Sequence, residues 1–211
     1  MINLGRFYRL KAALSRGALK IGLRPKMLYP VRFRWREGRI TIGQKLSSRF
    51  GVVIDVQDGN IQIGDHVSIN DHAVLLGHGG LTIGNDVRIA AHVVIASFDH
   101  NFDDLDKPIR MQGITRKPIS IGNDVWIGAG AKILGGSHIA DGCVIGANAV
   151  LKGTTLPFGV YVGNPARLIK MRGATPLRSS KRPGFGPPNQ FAADGSLAAV
   201  GLRLRQRLKQ S

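Results

Sequence analysis

His100 stands among acidic residues in a stretch that interrupts an otherwise regular chain. The segment SFDHNFDDLDKP places Asp99, Asp103, Asp104 and Asp106 close to it in sequence. A neutral imidazole can accept a proton from a hydroxyl near pH 7, which is the chemistry of a general base. Composition alone favours a plainer interpretation, in which His100 is a solvated loop residue that orients a turn beside Asp99. The sequence on either side of the loop must decide between a general base and a solvated loop residue.

The chain on both sides of this stretch repeats every six residues. Aliphatic residues recur at that spacing in three runs: Ile63, Ile69, Leu75; then Ile83, Ile89, Ile95; then Ile121, Ile127, Ile133, Ile139, Ile145, Leu151. A period of six is neither the 3.6 of a helix nor the alternation of a simple strand. It predicts an all-β parallel β-helix, in which stacked coils bury the aliphatic rows. Cys143 falls on a small interior position of this pattern and is therefore predicted to be a core residue.

The repeat breaks between Ile95 and Ile121. These residues are 26 positions apart, where a spacing of 6 or 18 would keep the register. We expect residues 97–117 to protrude from the β-helix as a loop. Because a regular scaffold does not need such a loop, it is a natural place for function.

The net charge of +17 lies at the two ends of the chain. Residues 1–40 hold 11 basic residues and one acid, residues 41–170 hold 11 of each, and residues 171–211 hold 8 basic residues and one acid. The repetitive core is thus electrically balanced, so nucleic-acid binding is not predicted. One cysteine excludes a disulfide framework, and no apolar run approaches the roughly eighteen residues of a membrane span. We expect a cytoplasmic protein.

Residues 1–38 are predicted to form a basic amphipathic segment and cap. A helix over residues 3–22 would gather apolar side chains near one face: Leu4, Phe7, Leu10, Leu14 and Ile21. Two interpretations stay open: the segment caps the open end of the β-helix, or it makes a peripheral contact with the inner face of the cell membrane. Residues 172–211 are predicted to be a flexible basic tail.

Residues 39–171 resemble the hexapeptide-repeat acyltransferases, particularly the sugar O-acetyltransferases. The motifs that carry the resemblance are KPISIGNDVWIGAGAKI, DGCVIGANAVLKG and GNPARLIKM. The resemblance implies a left-handed β-helix and a homotrimer with active sites between subunits. It also implies transfer of an acetyl group from acetyl-CoA to a sugar hydroxyl, with no metal. We expect the acceptor to be a surface-polysaccharide or glycan precursor.

The same resemblance assigns roles to individual residues. His100 matches the catalytic histidine of the loop, and the backbone of Ala129 matches the oxyanion donor that follows Trp126. His72, Gln112 and Trp126 are the expected acceptor-binding residues, although the family often has Asn near the position of His72. The expected acetyl-CoA-binding residues are Trp126, Ala129, Gly130, Ala147, Lys152, Arg167 and Lys170.

Other histidines support alternative interpretations. His72 and His92 each follow an aliphatic repeat residue by three positions, so they are expected to stack on consecutive coils. Such a pair could belong to a zinc site like that of hexapeptide-repeat carbonic anhydrases. A non-enzymatic trimeric scaffold is a second alternative. His66, His78 and His138 are expected at the surface.

Overall fold

The computed structural model of the protein describes residues 5–28 and 30–173. A short helix, α1 (Gly5–Ala13), precedes a stack of coils. The first two coils contain β1 (Leu19–Ile21), β2 (Lys26–Met27), β3 (Arg32–Arg34), β4 (Arg39–Ile42), β5 (Ser47–Ser48) and β6 (Val53–Asp55). The next two contain β7 (Asn60–Ile63), β8 (Ser68–Ile69), β9 (Val74–Leu76), β10 (Leu81–Ile83), β11 (Arg88–Ile89) and β12 (Val94–Ala96).

An inserted hairpin separates the fourth coil from the fifth. It contains β13 (Phe98–His100), the 3₁₀ helix η1 (Ile109–Met111) and β14 (Ile114–Arg116). The last two full coils contain β15 (Ile119–Ile121), β16 (Trp126–Ile127), β17 (Lys132–Ile133), β18 (His138–Ile139), β19 (Val144–Ile145) and β20 (Val150–Leu151). Two further strands, β21 (Gly159–Val162) and β22 (Arg167–Met171), end the described chain.

Each coil gives one strand to each of three parallel sheets. The first sheet runs β1, β4, β7, β10, β15, β18; the second runs β2, β5, β8, β11, β16, β19, β21, β22; the third runs β3, β6, β9, β12, β17, β20. Ile83 pairs directly with Ile121, and Ile95 with Ile133, so the insertion leaves the stacking register intact. This arrangement confirms the predicted all-β parallel β-helix.

The aliphatic rows of the sequence form the interior. All aliphatic residues of the three runs with a spacing of six are buried, with exposed fractions of 0–4%. Cys143 and Ser137 occupy small interior positions and are also buried, which confirms the core assignment of Cys143. Each fully buried aliphatic side chain contributes about 1.5–3 kcal/mol relative to solvent exposure. Because neighbouring coils bury one another's rows, the stack is stable as a whole.

The chain turns at three edges of this prism. The first edge joins the first and second sheets, for example at 64–67 and 122–125. The second edge joins the second and third sheets, at 49–52, 70–73, 90–93, 128–131 and 146–149. The third edge joins the third sheet to the first sheet of the next coil, at 56–59, 77–80 and 134–137. The inserted hairpin leaves the prism at this third edge.

The N-terminal end differs from its predicted boundaries. The first coil begins at Leu19, which pairs with Ile40, so the expected start of the β-helix at residue 39 is too late. The hexapeptide pattern is degenerate in residues 19–34, although alternate apolar residues still point inward. The helix ends at Ala13 rather than at residue 22.

Tyr8 anchors α1 over the first coil. Its side chain is 2% exposed, and its hydroxyl accepts a hydrogen bond from the backbone N–H of Val31 at 2.8 Å. The apolar residues expected near one helix face are exposed: Phe7, Leu10 and Leu14 are 53, 61 and 76% accessible, and Leu14 follows the end of the helix. In residues 5–28 and 30–173, no helix has the length and apolar character needed to cross a bilayer.

The C-terminal turn covers the other end of the stack. His138 of the first sheet bridges to Thr154, and Val150 of the third sheet bonds with Gly163 and Ala166. In the second sheet, β22 folds back antiparallel against β21. The predicted flexible tail of residues 172–211 lies outside the described residues beyond Gly173; Arg172 itself pairs with Asp124 at 2.7 Å.

Candidate active site

The inserted hairpin has a closed base. The backbone N–H of Lys117 donates to the carbonyl of Ser97 at 2.8 Å, so the chain leaves and rejoins the third edge at one point. The Ser97 hydroxyl accepts a hydrogen bond from the N–H of Gly79 at 2.9 Å, which ties this point to the coil below. The insertion is therefore held by the β-helix at the boundaries that the broken repeat indicates.

His100 ends the first strand of the hairpin. It pairs with Ile114 of β14, its side chain is exposed, and its ring lies edge-on to that of Phe98 with centroids 5.9 Å apart. The next residue, Asn101, continues the ladder through an N–H bond to Gly113 at 3.1 Å. A short paired strand, rather than an unpaired loop, thus carries the imidazole and leaves it exposed to solvent.

Asp99 pairs with Lys117 rather than with the neighbouring His100. Nζ of Lys117 lies 2.6 Å from Oδ2 of Asp99. The hydrogen bond from Lys117 is the largest cause that lowers the pKa of Asp99; the charges of Lys117 and Lys152 add to it, and partial burial opposes it. The Asp99 carboxylate therefore stabilises the base of the hairpin.

Gln112 holds the shape of the loop. Its side-chain amide donates to the carbonyls of Asp104 at 2.7 Å and Lys107 at 2.8 Å, and its Oε1 accepts the N–H of Asp104 at 3.1 Å. Both amide protons are thus used within the loop. This placement differs from a side chain free to reach an acceptor, because the tip of the hairpin needs these bonds to close.

The second edge carries a row of very small residues. Ala91, Ala129 and Ala147 occupy equivalent positions on the fourth, fifth and sixth coils, as shown by the bonds Gly130 N–H to Ala91 and Asn148 N–H to Ala129. Gly130 has a φ of +70°, and a Cβ there would lie 2.2 Å from Oδ1 of Asn148. This half of the second edge therefore offers small side chains, which would let an extended, unbranched ligand lie close to the backbone.

The remaining predicted donor residues divide between the second sheet and the third edge. Trp126 lies on the outer face of the second sheet between Arg88 and Val144, and it is 54% exposed. Arg167 and Lys170 are exposed on β22, which extends the same sheet. Lys152 lies apart, since it follows β20 at the third edge, close enough to act on Asp99.

His72 and His92 stack as predicted. Their rings lie 5.4 Å apart with an interplanar angle of 12°, and Phe50 packs edge-on against His72. Both imidazoles are exposed on the second edge, with His92 directly after Ala91 on the fourth coil and His72 on the third coil. With adjacent coils about 4.8 Å apart, His72 lies two coils, or about 10 Å, from Gly130. Among the described residues of one chain, no group of three His, Cys, Asp or Glu side chains gathers as metal ligands would.

His78 is not the surface residue that the sequence suggests. His66 and His138 are exposed, but the His78 side chain is only 18% accessible, with its ring stacked on Phe98. The reason is the insertion, which covers the third edge. A signal was present in the sequence: His78 and Phe98 each follow by two positions the paired residues Leu76 and Ala96, so they occupy equivalent places on successive coils.

The exposed imidazole and the alanine row lie at different edges of one chain. His100 belongs to the third edge, whereas Ala129 and Ala147 belong to the second, with the third sheet between them. A side of six residues spans at most about 20 Å. The arrangement offers a proton acceptor on one edge and a narrow groove wall on another.

Comparison with known proteins identifies the repeat. Residues 118–153 match the family model described as bacterial transferase hexapeptide (six repeats). A probable acetyltransferase of Mycobacterium tuberculosis, Rv3034c, is 33% identical over 82% of this chain and 50% of its own length. The putative lipopolysaccharide biosynthesis O-acetyl transferase WbbJ of Escherichia coli is 32% identical over 64% of this chain and 72% of its own length. The chain thus spans about half of the mycobacterial relative and most of WbbJ.

A solved structure shares the coils. Galactoside acetyltransferase in complex with coenzyme A is 25% identical and superposes with a TM-score of 0.52, over 79% of this chain and 71% of that one. The family model matches the coils that follow the hairpin, and the E. coli relative aligns along most of its length. On these grounds, the chain belongs to the hexapeptide-repeat acyltransferase family.

Proposed function

We propose that the protein is an acetyl-CoA-dependent O-acetyltransferase that acts on a sugar hydroxyl, with a surface-polysaccharide or glycan precursor as acceptor. The observation that carries the proposal is the exposed His100 on a fastened hairpin, in a chain that also carries a bare edge for the donor. The relatives support the reaction class, since one is the putative lipopolysaccharide biosynthesis O-acetyl transferase WbbJ. The coenzyme A bound to the galactoside enzyme supports the donor.

In the proposed reaction, neutral His100 accepts the proton of the acceptor hydroxyl as its oxygen attacks the thioester carbonyl. The carbonyl oxygen gains negative charge, and the backbone N–H of Ala129 is the donor assigned to it. Collapse of the tetrahedral intermediate breaks the carbon–sulfur bond, and the proton held by His100 passes to the departing thiolate. No covalent intermediate on the enzyme is needed, which is consistent with the full burial of Cys143.

The donor would lie along the second edge. The methyl groups of Ala129 and Ala147, with Gly130 next to Ala129 on the fifth coil, leave room for a pantetheine arm against the backbone. The exposed cations Arg167 and Lys170 extend the same side of the prism and suit phosphate oxygens. Lys152 would serve only from a neighbouring subunit, because it lies at the third edge.

We propose a homotrimer in which two subunits build each active site. The third edge, which carries the hairpin, and the second edge, proposed for the donor, flank the third sheet. One outward-facing row of this sheet is largely aliphatic and contains Val53, Val74, Val94 and Val150, with Lys132 among them. Packing of this sheet against a neighbour would bring His100 of one copy to the Ala129 edge of the next. One chain alone leaves the site incomplete.

The acceptor would bind between the loop and the histidine row. His72 lies on the donor edge two coils below Gly130, so a sugar held there could reach the thioester, and the exposed indole of Trp126 offers a flat apolar face. Gln112 would contribute by holding the loop, because its amide protons are already donated to the loop backbone.

We also propose a cytoplasmic location with peripheral contact at the inner face of the membrane. Two features of the N-terminal end support this contact. Phe7 and Leu10 are exposed on α1, and Leu14 is exposed directly after it. Three surface depressions near the helix share Lys20 in their linings, which also include the cations Arg9, Arg16 and Arg39 and the acid Glu37. Apolar side chains beside cations are the features that bind anionic lipid surfaces.

Co-sedimentation with vesicles tests the membrane contact. We expect binding to vesicles rich in phosphatidylglycerol, weaker binding at high salt, and loss of binding in the variants L10S and K20E. The matched controls L105S and K107E change an exposed apolar residue and a cation on the hairpin instead. Equal binding by L10S and L105S would show that α1 is not the contact.

Thiol release from acetyl-CoA, measured across a panel of sugars and polysaccharide intermediates, tests the activity. We expect sugar-dependent release of coenzyme A, a fall in kcat of about 10²–10⁴-fold in His100→Ala, and an unchanged unfolding temperature. The acyl-transfer proposal is wrong if acetyl-CoA neither turns over nor protects the protein against thermal unfolding. Full activity in His100→Ala would remove only the role of that residue.

A further inference from the structure

We infer that His78 is a positioning residue for His100, acting through Phe98. The rings of His78 and Phe98 stack almost parallel, with centroids 4.3 Å apart and an interplanar angle of 5°. Phe98 in turn meets the ring of His100 edge-on at 5.9 Å. The three rings form a continuous contact from the β-helix to the exposed imidazole.

The stack continues the order of the coils into the insertion. Phe98 begins β13 and His100 ends it, so the two residues lie two positions apart and share one face of that strand. His78 lies one coil below Phe98 in equivalent register, because Leu76 pairs with Ala96. A residue of the rigid scaffold thus sets where the first strand of the hairpin lies.

Asp55 lies next to His78 on the side facing the preceding coil. This carboxylate is 5% exposed, and its Oδ1 lies 3.5 Å from Nε2 of His78. That separation is longer than a good hydrogen bond, and Nε2 of His78 is buried without a hydrogen-bond partner among the described residues, so the imidazole packs beside the carboxylate. Arg34, at 3.8 Å, and Gln57, whose side-chain amide donates at 3.1 Å, face the same carboxylate. The imidazole is therefore held between a buried acid and the ring of Phe98.

Other contacts also hold the hairpin, and they differ from the His78–Phe98 stack in the part of the hairpin that they reach. Lys117 and Ser97 close the base of the insertion, and Asp99 pairs with Lys117. These bonds fix the two ends of the hairpin but do not touch the ring of His100. The His78–Phe98 stack is the contact that reaches the ring, so it governs the angle at which His100 meets the acceptor.

The inference rests on the proposed function, in which His100 takes a proton. His78 lies at the third edge and not at the second edge, where the donor is proposed to bind. Its loss should therefore change kcat and leave the KM for acetyl-CoA unaltered. A misplacement of about 1 Å in a catalytic group can cost on the order of 10²-fold in rate. We expect His78→Ala to lower kcat by about 10–100-fold and His78→Phe, which keeps a flat ring over Phe98, to recover most of it.

Steady-state kinetics and hydrogen exchange on the full chain test the inference. His138→Ala is the matched control, because His138 is an exposed histidine on the outer face of the first sheet. In His78→Ala, the amide of Asn101 should exchange faster, while the amides of the buried coils and the unfolding temperature stay near the wild-type values. His138→Ala should change none of these.

Three results would overturn the inference. One is wild-type kcat and exchange in His78→Ala. Another is a His78→Phe variant as slow as His78→Ala, since a ring stack would then not be the cause. The third is faster exchange throughout the coils of both variants, which would make His78 a general stability residue. Because hydrogen exchange needs no turnover, it decides the structural claim even if acetyl transfer itself is not observed.

Discussion

Lys117 and Asp99 join the two strands of the inserted hairpin, with Nζ of the lysine 2.6 Å from Oδ2 of the aspartate. The bond crosses the base of the loop that presents His100, so it stabilises the open position of that imidazole. Both side chains are partly exposed, at 36 and 41%, and such an ion pair contributes about 0.2–1 kcal/mol.

This pair predicts a defined pH dependence. The pKa of Asp99 is lowered from 3.8 by Lys117, so the folded state favours the charged carboxylate. The stabilisation is present above pH 3.8 and is lost as the pH falls through the lowered pKa. Asp99→Asn should unfold at slightly lower urea concentration than the wild type at pH 7, and the difference should vanish in strong acid.

An NMR titration of the Asp99 carboxyl gives the direct measurement. The variant Lys117→Gln should raise the pKa of Asp99 toward its ordinary value. Lys107→Gln breaks a comparable pair with Asp104 at the tip of the hairpin and should leave the Asp99 titration unchanged. Identical titrations in Lys117→Gln and the wild type would contradict the assigned cause.

Mixed oligomers test whether two subunits share each site. His100→Ala removes the proton acceptor, and Ala147→Trp fills the donor edge of the same chain. Each variant alone should be inactive, but co-expressed copies should recover part of the wild-type activity, because some interfaces combine an intact loop with an intact edge. Mixtures that stay inactive while both variants fold and assemble would place the whole site within one chain.

Gly79 is predicted to be the least replaceable residue at the base of the hairpin. A Cβ there would lie 1.9 Å from the carbonyl oxygen of Ser97 and 2.8 Å from the N atom of Lys117, both backbone atoms that cannot move separately. Gly79→Ala should therefore loosen both ends of the insertion and lower kcat. At Gly80, the adjacent control, a Cβ would lie 3.8 Å from Cβ of Pro118, an ordinary contact, but φ is +101°. Gly80→Ala should therefore cost about 1–2 kcal/mol of stability with less effect on kcat.

Tyr8→Phe should destabilise the N-terminal end. The Tyr8 hydroxyl accepts from the N–H of Val31 and donates to its carbonyl at 3.2 Å, so the substitution leaves buried backbone groups without these bonds. A loss of about 1–3 kcal/mol in the free energy of unfolding is expected from urea denaturation. Phe7→Ala, at an exposed neighbour, should change stability little; equal losses in the two variants would show that the hydroxyl is not the cause.

The interior could be predicted well because its periodicity is a property of the sequence itself. Every aliphatic position in the runs that begin at Ile63, Ile83 and Ile121 is buried. The stacking of His72 on His92 followed from the same arithmetic. The first coil was missed because a terminal coil has a neighbour on one side only, which relaxes the pattern in residues 19–34.

The site was harder to predict, since the insertion obeys no repeat. Sequence placed His100 on a protruding loop, but the bond of Lys117 to Asp99 and the use of Gln112 within the loop depend on how the hairpin closes. His78 was placed at the surface because its cover, Phe98, comes from the next coil and the inserted strand. The roles of the donor and acceptor residues remain predictions that the proposed experiments address.

The folded-back C-terminal turn has a consequence for self-association. A stack of parallel strands ends in rows of unpaired N–H and C=O groups, which are templates for endless growth of one copy upon another. Here Thr154, β22 and the pair Gly163 and Ala166 occupy those rows in all three sheets at the C-terminal end of the described chain. Edge-to-edge growth of one copy upon another through this end of the prism is thereby disfavoured, because the chain itself already occupies these rows.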